Sequence, residues 1–456
     1  MGRAIVIGGG PNGLAASIVL ADAGHDVTVL ESRTETGGRC QLLGDTSGVQ
    51  EWAIQALGLS VERGPVSTLH QAGPEGLRAV DDSVPGVAAW RAEVERFAGL
   101  VISLSSSPPP DIRKDAPLLS LFGPALAGLK LGRAGAMELA RIGPLCAEDW
   151  LDEWGIPREA QAALCLPALQ GSWMGPRSPT SALALLFHTA LSSRPIVGGM
   201  GALCNALLQR AQQVGVKIET GAKVTEINVH GGAVKGVTLD DGRSLESERV
   251  VSTLGPKTTL LELVPAKVLP LGQDTTVANV RSRGIVAVMK CQLSAPLFGG
   301  ERHVVVTADN VALERAFDDA KHRRLPDCPA LDIHQEGDSA TVMIFGAAID
   351  LDRGWSAESK AALQMRVMEQ LGQHTDTASI MESNLWTPSD LEAEFGLEGG
   401  HLFHGEFALD QFLSFRPHPS LARYQSGIRG LVMGGAGMHP AGTFTLGQGV
   451  LAAQSI

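Results

Sequence analysis

Apolar positions in this chain fall into two patterns, short unbroken runs and helical-period stripes. Residues 4–7 are all apolar, as expected of a strand buried on both faces. Ala15, Ala16, Ile18, Val19 and Leu20 follow at helical spacing, and Gly24 stands where a helix-ending glycine belongs. Residues 27–30 repeat the buried-strand pattern and Glu31 closes it. This strand–helix–strand order predicts a parallel α/β unit. Between residues 46 and 100 the pattern predicts short helical segments mixed with turns, with a helix over 51–59 ended by Gly58 and a strand at 60–63. Three serines and three prolines at 105–110 predict a stiff linker. Residues 116–192 read as mainly helical, interrupted at Gly155-Ile156-Pro157 and by an irregular crossing at 171–176. The helix over 180–191 has Ser178, Thr180 and Ser181 as candidate caps.

A new unit opens at 195–203. Its helix runs to about Val214, a strand follows at 216–219, and alternating strands at 222–229 and 233–239 flank the turn His230-Gly231-Gly232. Residues 249–252 bring the chain back to the first sheet. Strand signals at 284–293, 303–307 and 340–345, with helices at 311–320 and 356–371, predict an α+β unit. Residues 430–434 form a last buried strand, and a helix begins at Gly447 or Gly449 after a glycine-rich loop. The predicted fold class is α/β plus α+β. A discontinuous nucleotide-binding domain takes residues 1–65, 193–270 and 425–456. A substrate domain with a helical cap takes 66–192 and 271–424.

Composition narrows the function. A chain of 456 residues is long enough for more than one domain. A formal net charge of −12 without a long basic run argues against nucleic acid as a partner, and Lys321-His322-Arg323-Arg324 reads as solvated surface. The six cysteines form no C-x-x-C pair and match no zinc or disulfide framework, so free thiols in a reducing cytosol, and no metal, are expected. A first strand within four residues of Met1 leaves no room for a secretory signal, which points to the cytoplasm. Residues 116–140 are rich in Leu, Ala and Gly but are interrupted by Lys130 and Arg133. They read as an amphipathic helix that packs in the cap, with peripheral membrane contact as the alternative.

The chemistry begins at Gly8-x-Gly10-x-x-Gly13. Gly8 permits a tight turn, Gly10 lets backbone approach a pyrophosphate, and Gly13 lets the helix lie close to the sheet. Pro11 and Asn12 start that helix, whose unpaired N–H groups suit a diphosphate. Glu31, with Ser32 beside it, lies eighteen residues after Gly13, the place of the acid that accepts from a ribose. Gly37-Gly38-Arg39 brings a second backbone turn towards the same diphosphate and reads as an FAD signature, with Cys40 directly after it.

With three further stretches, these motifs resemble the phytoene desaturase-like branch of the FAD-dependent amine oxidase / NAD(P)-FAD oxidoreductase superfamily. The stretches are Val197-Gly198-Gly199-Met200-Gly201-Ala202-Leu203 with Lys223-Val224-Thr225-Glu226-Ile227, then residues 403–411 with Arg416-Pro417, then Gly435-Ala436-Gly437-Met438-His439-Pro440-Ala441-Gly442. The resemblance implies a Rossmann-like FAD domain of glutathione-reductase type, amine-oxidase-like, interleaved with a mixed-sheet and helical substrate domain. It implies that Gly199, Met200 and Val224 hold the adenine side. Gly437 and Ala441 would lie in the flavin loop. Backbone N–H groups of Leu446, Gly447 and Gln448 would meet the pyrimidine edge of the ring. Two segments depart from the branch: the stretch between Gly38 and Asp111 is short, and 329–346 lacks the expected Pro-Ser loop. Both would shape the substrate cavity, which weighs against a long carotenoid.

The expected reaction is hydride transfer from a mostly apolar small molecule to flavin N5, as in a dehydrogenase, desaturase or oxidase. One complete dinucleotide fold implies reoxidation by oxygen or a quinone-type acceptor. The alternatives are an amine or amino-acid oxidase, a redox-neutral isomerase or saturase, and a low-turnover flavin-bound interaction protein. Tyr424, the one tyrosine, is scant material for an amine oxidase's aromatic cage. An oligomer is compatible with all of these. His439 and His404 are the candidate bases. Trp173 and His188 are candidate walls of the substrate cavity, and Glu406 with Asp410 reads as a solvated or capping pair.

Overall fold

The structure, a computed structural model, describes residues 2–112 and 122–456, with side chains except at 41 and 122–130. Among the described residues the strands form three sheets. The first is parallel, in the order Leu431–Met433, Val250–Ser252, Arg3–Ile7, Asp26–Glu31, Lys217–Thr220. Ile5, Val6, Val29, Val250 and Val251 are wholly buried, because helices cover the sheet and leave no wet face for alternating polar residues. The helix Pro11–Asp22 starts on Gly10 with proline in its first turn. A Cβ on Gly13 would stand 1.9 Å from the Gly8 carbonyl oxygen, so only glycine lets this helix lie so close. The last helix, Gly447–Ala453, closes on the first: a Cβ on Gly449 would be 2.1 Å from the Asn12 carbonyl oxygen.

The antiparallel strands Val224–His230, Ala233–Leu239 and Ser244–Glu246 form the second sheet. The third runs Ile380–Trp386, Val286–Leu293, Ser339–Phe345, Ala330–Glu336, His303–Val306, Leu69–Gly73, Gly76–Ala79. One of its faces, with Ala287, Met289, Leu331, Val342 and Ile344, packs on Leu363, Val367 and Leu371 of the helix Ala357–Gly372. The other joins the main core through Val286, Val288, Met343 and Phe345. Towards one end it turns polar, with Lys290, His303, Asp332, His334 and Thr341. The helices Val87–Ser105, Phe122–Ile142, Ala147–Asp152, Arg158–Leu169 and Ser181–Leu191 follow one another between the hairpin Leu69–Gly73/Gly76–Ala79 and the helix Gly199–Gln213.

Several expectations are corrected. Residues 60–63 are not a strand; Arg63 makes a single bridge to Ile196. The next stretch holds the hairpin Leu69–Gly73/Gly76–Ala79 and the 19-residue helix Val87–Ser105 instead of short helices. Leu-His-Gln-Ala-Gly carries no β-branched residue, and it is a strand because it pairs with His303–Val306. Ala330–Glu336 and Ile380–Trp386 were not expected either. Free thiols hold for Cys146, Cys165, Cys291 and Cys328, but Cys40 and Cys204 form a disulfide. They are 164 positions apart, and the docking of the Gly37 turn against the Gly199–Gln213 helix brings them together. Residues 116–121 of the expected amphipathic helix lie outside the described residues. The helix Phe122–Ile142 is broken at Gly132 (φ 64°). Among the described residues no helix is long and apolar enough to cross a membrane.

Candidate functional site

Glu31 braces the glycine turn. Its Oε2 accepts from Gly9 N–H at 2.7 Å, and its Oε1 accepts from Arg33 N–H at 2.9 Å and from Ser32 Oγ at 3.3 Å. The second glycine turn stacks on the first: Gly37 N–H donates to the Gly9 carbonyl at 2.9 Å. A Cβ on Gly38 would stand 3.3 Å from Gly10 Cα, whereas one on Gly10 would meet nothing within 4 Å. Gly10 therefore borders open space, the side a diphosphate would approach. Gly221 and Ala222 donate to the carbonyls of Arg33 and Glu31, each at 2.8 Å, and Val224 just beyond them is buried. Gly199 and Met200 border a large cavity, and neighbouring Gly198 N–H donates to Glu336 Oε1 at 2.8 Å.

The residues present fit FAD. Among the described residues Asn12 Oδ1, Arg39 Nη2 and His404 Nδ1 are buried without a hydrogen-bond partner, a cost that a polar ligand would relieve. Arg39 lies over the Phe403 and Phe444 rings, donates to the Leu402 carbonyl, and is lowered by burial to about 9. It stays a cation at neutral pH, suited to an anionic diphosphate.

Arg416 joins the two C-terminal stretches. Wholly inside, it donates to the carbonyls of Glu406 and Gly405 (3.0 Å), Met438 and Ala436 (3.1 Å) and Gln411 (3.3 Å). Burial lowers it to about 10, so it remains charged. Nearby, His439 Nε2 donates to the Leu104 carbonyl at 2.8 Å. Burial, and then the Arg416 charge, lower His439 to about 4. Burial with Arg39 lowers His404 to about 3, and burial with Arg416 does the same to His401. Gly437 packs on His404: a Cβ there would be 2.9 Å from its carbonyl oxygen. Gln448 Nε2 donates to the Pro440 carbonyl at 2.6 Å, and Gly447 N–H to Thr445 Oγ1 at 3.2 Å, with Leu446 left-handed (φ 66°) at the helix start. Glu406 is not solvated: Arg283 grips both its oxygens, at 2.8 and 3.0 Å, and Asp410 pairs with Arg281 at 2.6 Å.

A cavity of about 620 Å³ lies between Gly37, Met200 and the polar end of the third sheet. His188 lines it; Trp173 does not, its ring standing edge-on to Phe317 under the Arg283 guanidinium. A recess of about 50 Å³ continues from it past His188, Asp332 and His334 to Gly442, Thr443 and Phe444. A slot of about 10 Å³ shares Gly171, Phe403, Gly442 and Thr443 with that recess and reaches Arg416, Ala441 and Gln448.

At the polar end, burial would raise Asp332, but His334 and His303 hold it well below the carboxylate range. Burial works against charge on His334, and Asp332 overcomes it, lifting the imidazole to about 8. Burial lowers His188 and Lys290. Sequence reasoning missed Lys290, His303, Asp332 and His334. The signal was there: Asp332 and His334 alternate with Leu331 and Ile333, so two polar residues share one face of an otherwise apolar strand.

Comparison with known proteins places these features. The family model "Flavin containing amine oxidoreductase" matches residues 152–447, and an NAD(P)-binding Rossmann-like domain model matches 6–64. Hydroxyneurosporene desaturase of Rubrivivax gelatinosus is 25% identical over 96% of this chain and 89% of its own. Pyridine nucleotide-disulfide oxidoreductase domain-containing protein 2 of Rattus norvegicus is 27% identical over 64% of this chain. That match spans 57% of the rat protein's length. Among solved structures, an oxidoreductase from Methanosarcina mazei superposes with TM-score 0.59 at 15% identity, covering 100% of this chain and 99% of its own. Putrescine oxidase bound to putrescine gives 0.56 at 17%, covering 100% and 98%. At such identities the structural likeness speaks to the fold alone.

Proposed function

The chain belongs to the flavin-containing amine oxidoreductase family, and from that premise we propose an FAD-dependent oxidoreductase acting on a small molecule with polar, ionisable groups. The supporting observation is the row of neighbouring spaces with shared walls, from the 620 Å³ cavity, past His188 and His334, to the 440–444 loop. Its lining of Asp45, His188, Lys290, His303 and His334 favours such a substrate over the mostly apolar one expected from the resemblance.

FAD, when bound, supplies the hydride acceptor, and oxygen or a quinone-type acceptor takes the electrons onward. Gly8, Gly10, Gly13, Gly37, Gly38 and Arg39 hold its diphosphate, and Glu31 its ribose. Gly437, Ala441 and the start of the last helix border its ring. Among the described residues Lys290 makes no ion pair, and it lines the cavity, so it is placed to bind an anionic group of the substrate. His188 borders both cavity and recess and orients the substrate between them. His439, lowered to about 4, is a weak base at neutral pH, and its role is to hold the flavin loop to Leu104.

The test is anaerobic bleaching of the FAD-loaded protein by amines, amino acids, hydroxy acids and an apolar polyene. Bleaching by a polar compound, with KM raised about tenfold in Lys290→Met, is expected. Bleaching by the polyene alone, or protein that stays colourless when offered FAD, overturns the reading. Peroxide on readmitting air identifies oxygen as acceptor, while rapid bleaching by NADPH would count against both acceptors.

A further inference from the structure

The polar end of the third sheet carries three side chains that no step above uses. His303 and His334 face each other across paired antiparallel strands, and Asp332 lies two positions from His334 on the same face. The two imidazoles stack with centroids 4.2 Å apart and planes 25° from parallel. Both Nε2 atoms point at one oxygen: His303 Nε2 is 2.8 Å and His334 Nε2 3.4 Å from Asp332 Oδ1. All three donor atoms lie within 4.8 Å of one another.

We propose that His303, Asp332 and His334 are the three protein ligands of a divalent, zinc-like cation in the wall of the substrate cavity.

The donor chemistry and spacing support this. Two imidazoles and one carboxylate, with a further position left open, are the ligand set of many catalytic zinc sites. Donors bonded to a tetrahedral ion at about 2.0–2.1 Å stand roughly 3.4 Å apart, so side-chain rotations suffice to seat one here. The ligands sit on neighbouring strands inside a sheet, where the backbone register fixes their separation. The carboxylate is also oriented from behind: Gln170 Nε2 donates to Asp332 Oδ2 at 2.6 Å, which leaves Oδ1 turned to the imidazoles. Such outer contacts are characteristic of metal ligands. His303 and His334 line the large cavity, while Asp332 and His334 line the recess leading to the 440–444 loop. The open coordination position therefore faces the substrate's path, and the ion would take an oxygen or nitrogen of the substrate as its fourth ligand. The cation site stands independently of the flavin; only this last role rests on the reading of the cavity as the substrate site.

The experiment uses the full-length, FAD-loaded protein after chelator treatment and dialysis. Zn²⁺ is titrated by calorimetry, and Co²⁺ by its visible absorption beyond the flavin band. One equivalent of each ion is expected, with a tetrahedral cobalt spectrum and no thiolate charge-transfer band, since no cysteine is among the ligands. Asp332→Asn and His334→Gln should each weaken binding at least a hundredfold, and Gln170→Leu about ten- to a hundredfold. His188→Gln should leave the affinity unchanged. Flavin content and melting temperature of each variant separate loss of the site from loss of the fold. Absence of saturable binding, a thiolate band, or equal binding by Asp332→Asn overturns the proposal and leaves the trio a hydrogen-bonded cluster. A cation site without activity on any polar compound would leave this inference standing and remove only the substrate reading.

Discussion

Replacing Arg416 with lysine keeps the charge and removes the fork. The guanidinium serves five carbonyls at 3.0–3.3 Å: Gly405, Glu406, Gln411, Ala436 and Met438. An ammonium has three N–H donors, and the Glu406 carbonyl keeps Gln411 Nε2 at 3.2 Å, so at least one of the other buried acceptors loses its partner. That costs about 1–3 kcal/mol. The damage is directional. Ala436 and Met438 belong to the 435–442 loop and the other three to the 403–411 run, so the variant uncouples the two segments. FAD affinity should fall with stability, by about tenfold for each 1.4 kcal/mol that reaches the loop. Urea unfolding of FAD-loaded and FAD-stripped protein gives the first quantity, and quenching of free-flavin fluorescence gives the second. An unfolding free energy within about 0.5 kcal/mol of the parent, the scatter of a neutral surface change, together with unaltered FAD binding, would refute the claim that Arg416 joins these segments.

Three further outcomes are expected. Gly13→Ala forces the first helix off the Gly8 carbonyl, a strain of about 1–3 kcal/mol; FAD should bind about ten- to a hundredfold more weakly by fluorescence titration, and equal affinity would contradict the close packing. His401, His404 and His439 are held at about 3, 3 and 4 inside the fold against an ordinary 6.5, so the unfolded chain takes up protons first. Their stabilisation is complete above pH ~6.5 and is lost as pH falls towards 4, by about 1.4 kcal/mol per unit for each histidine. His404→Gln should flatten the pH dependence of the urea-unfolding free energy by that slope, and an unchanged slope would show that His404 does not carry it. Alkylation of the denatured protein should label four cysteines before reduction and six after it, and six labels without reductant would dismiss the Cys40–Cys204 bond.

The fold of the glycine-rich N-terminal unit was legible in the sequence. Gly8, Gly10 and Gly13 lie between the strand Arg3–Ile7 and the strand Asp26–Glu31, and that unit is built by local backbone: one strand, one turn, one helix start. The turn at Gly37 then stacks on it, with Gly37 N–H donating to the Gly9 carbonyl. The last helix and the loop before it were also visible, since turns and helix starts depend on neighbours in the chain.

The cavity wall was not legible, for a physical reason. Leu69–Gly73 joins the third sheet by pairing with residues more than two hundred positions away, and its own residues do not favour a strand. Glu406 reads as surface until Arg283 is folded over it. His303 and Asp332 are unremarkable apart; antiparallel pairing makes them diagonal neighbours on one face of the sheet, and their side chains meet at 2.8 Å. The sequence by itself determined what short-range backbone geometry builds, the strand–turn–helix–strand unit at residues 3–31. Which side chains line the large cavity was decided only in the tertiary structure, because strand pairing and helix docking choose those neighbours without regard to their distance along the chain.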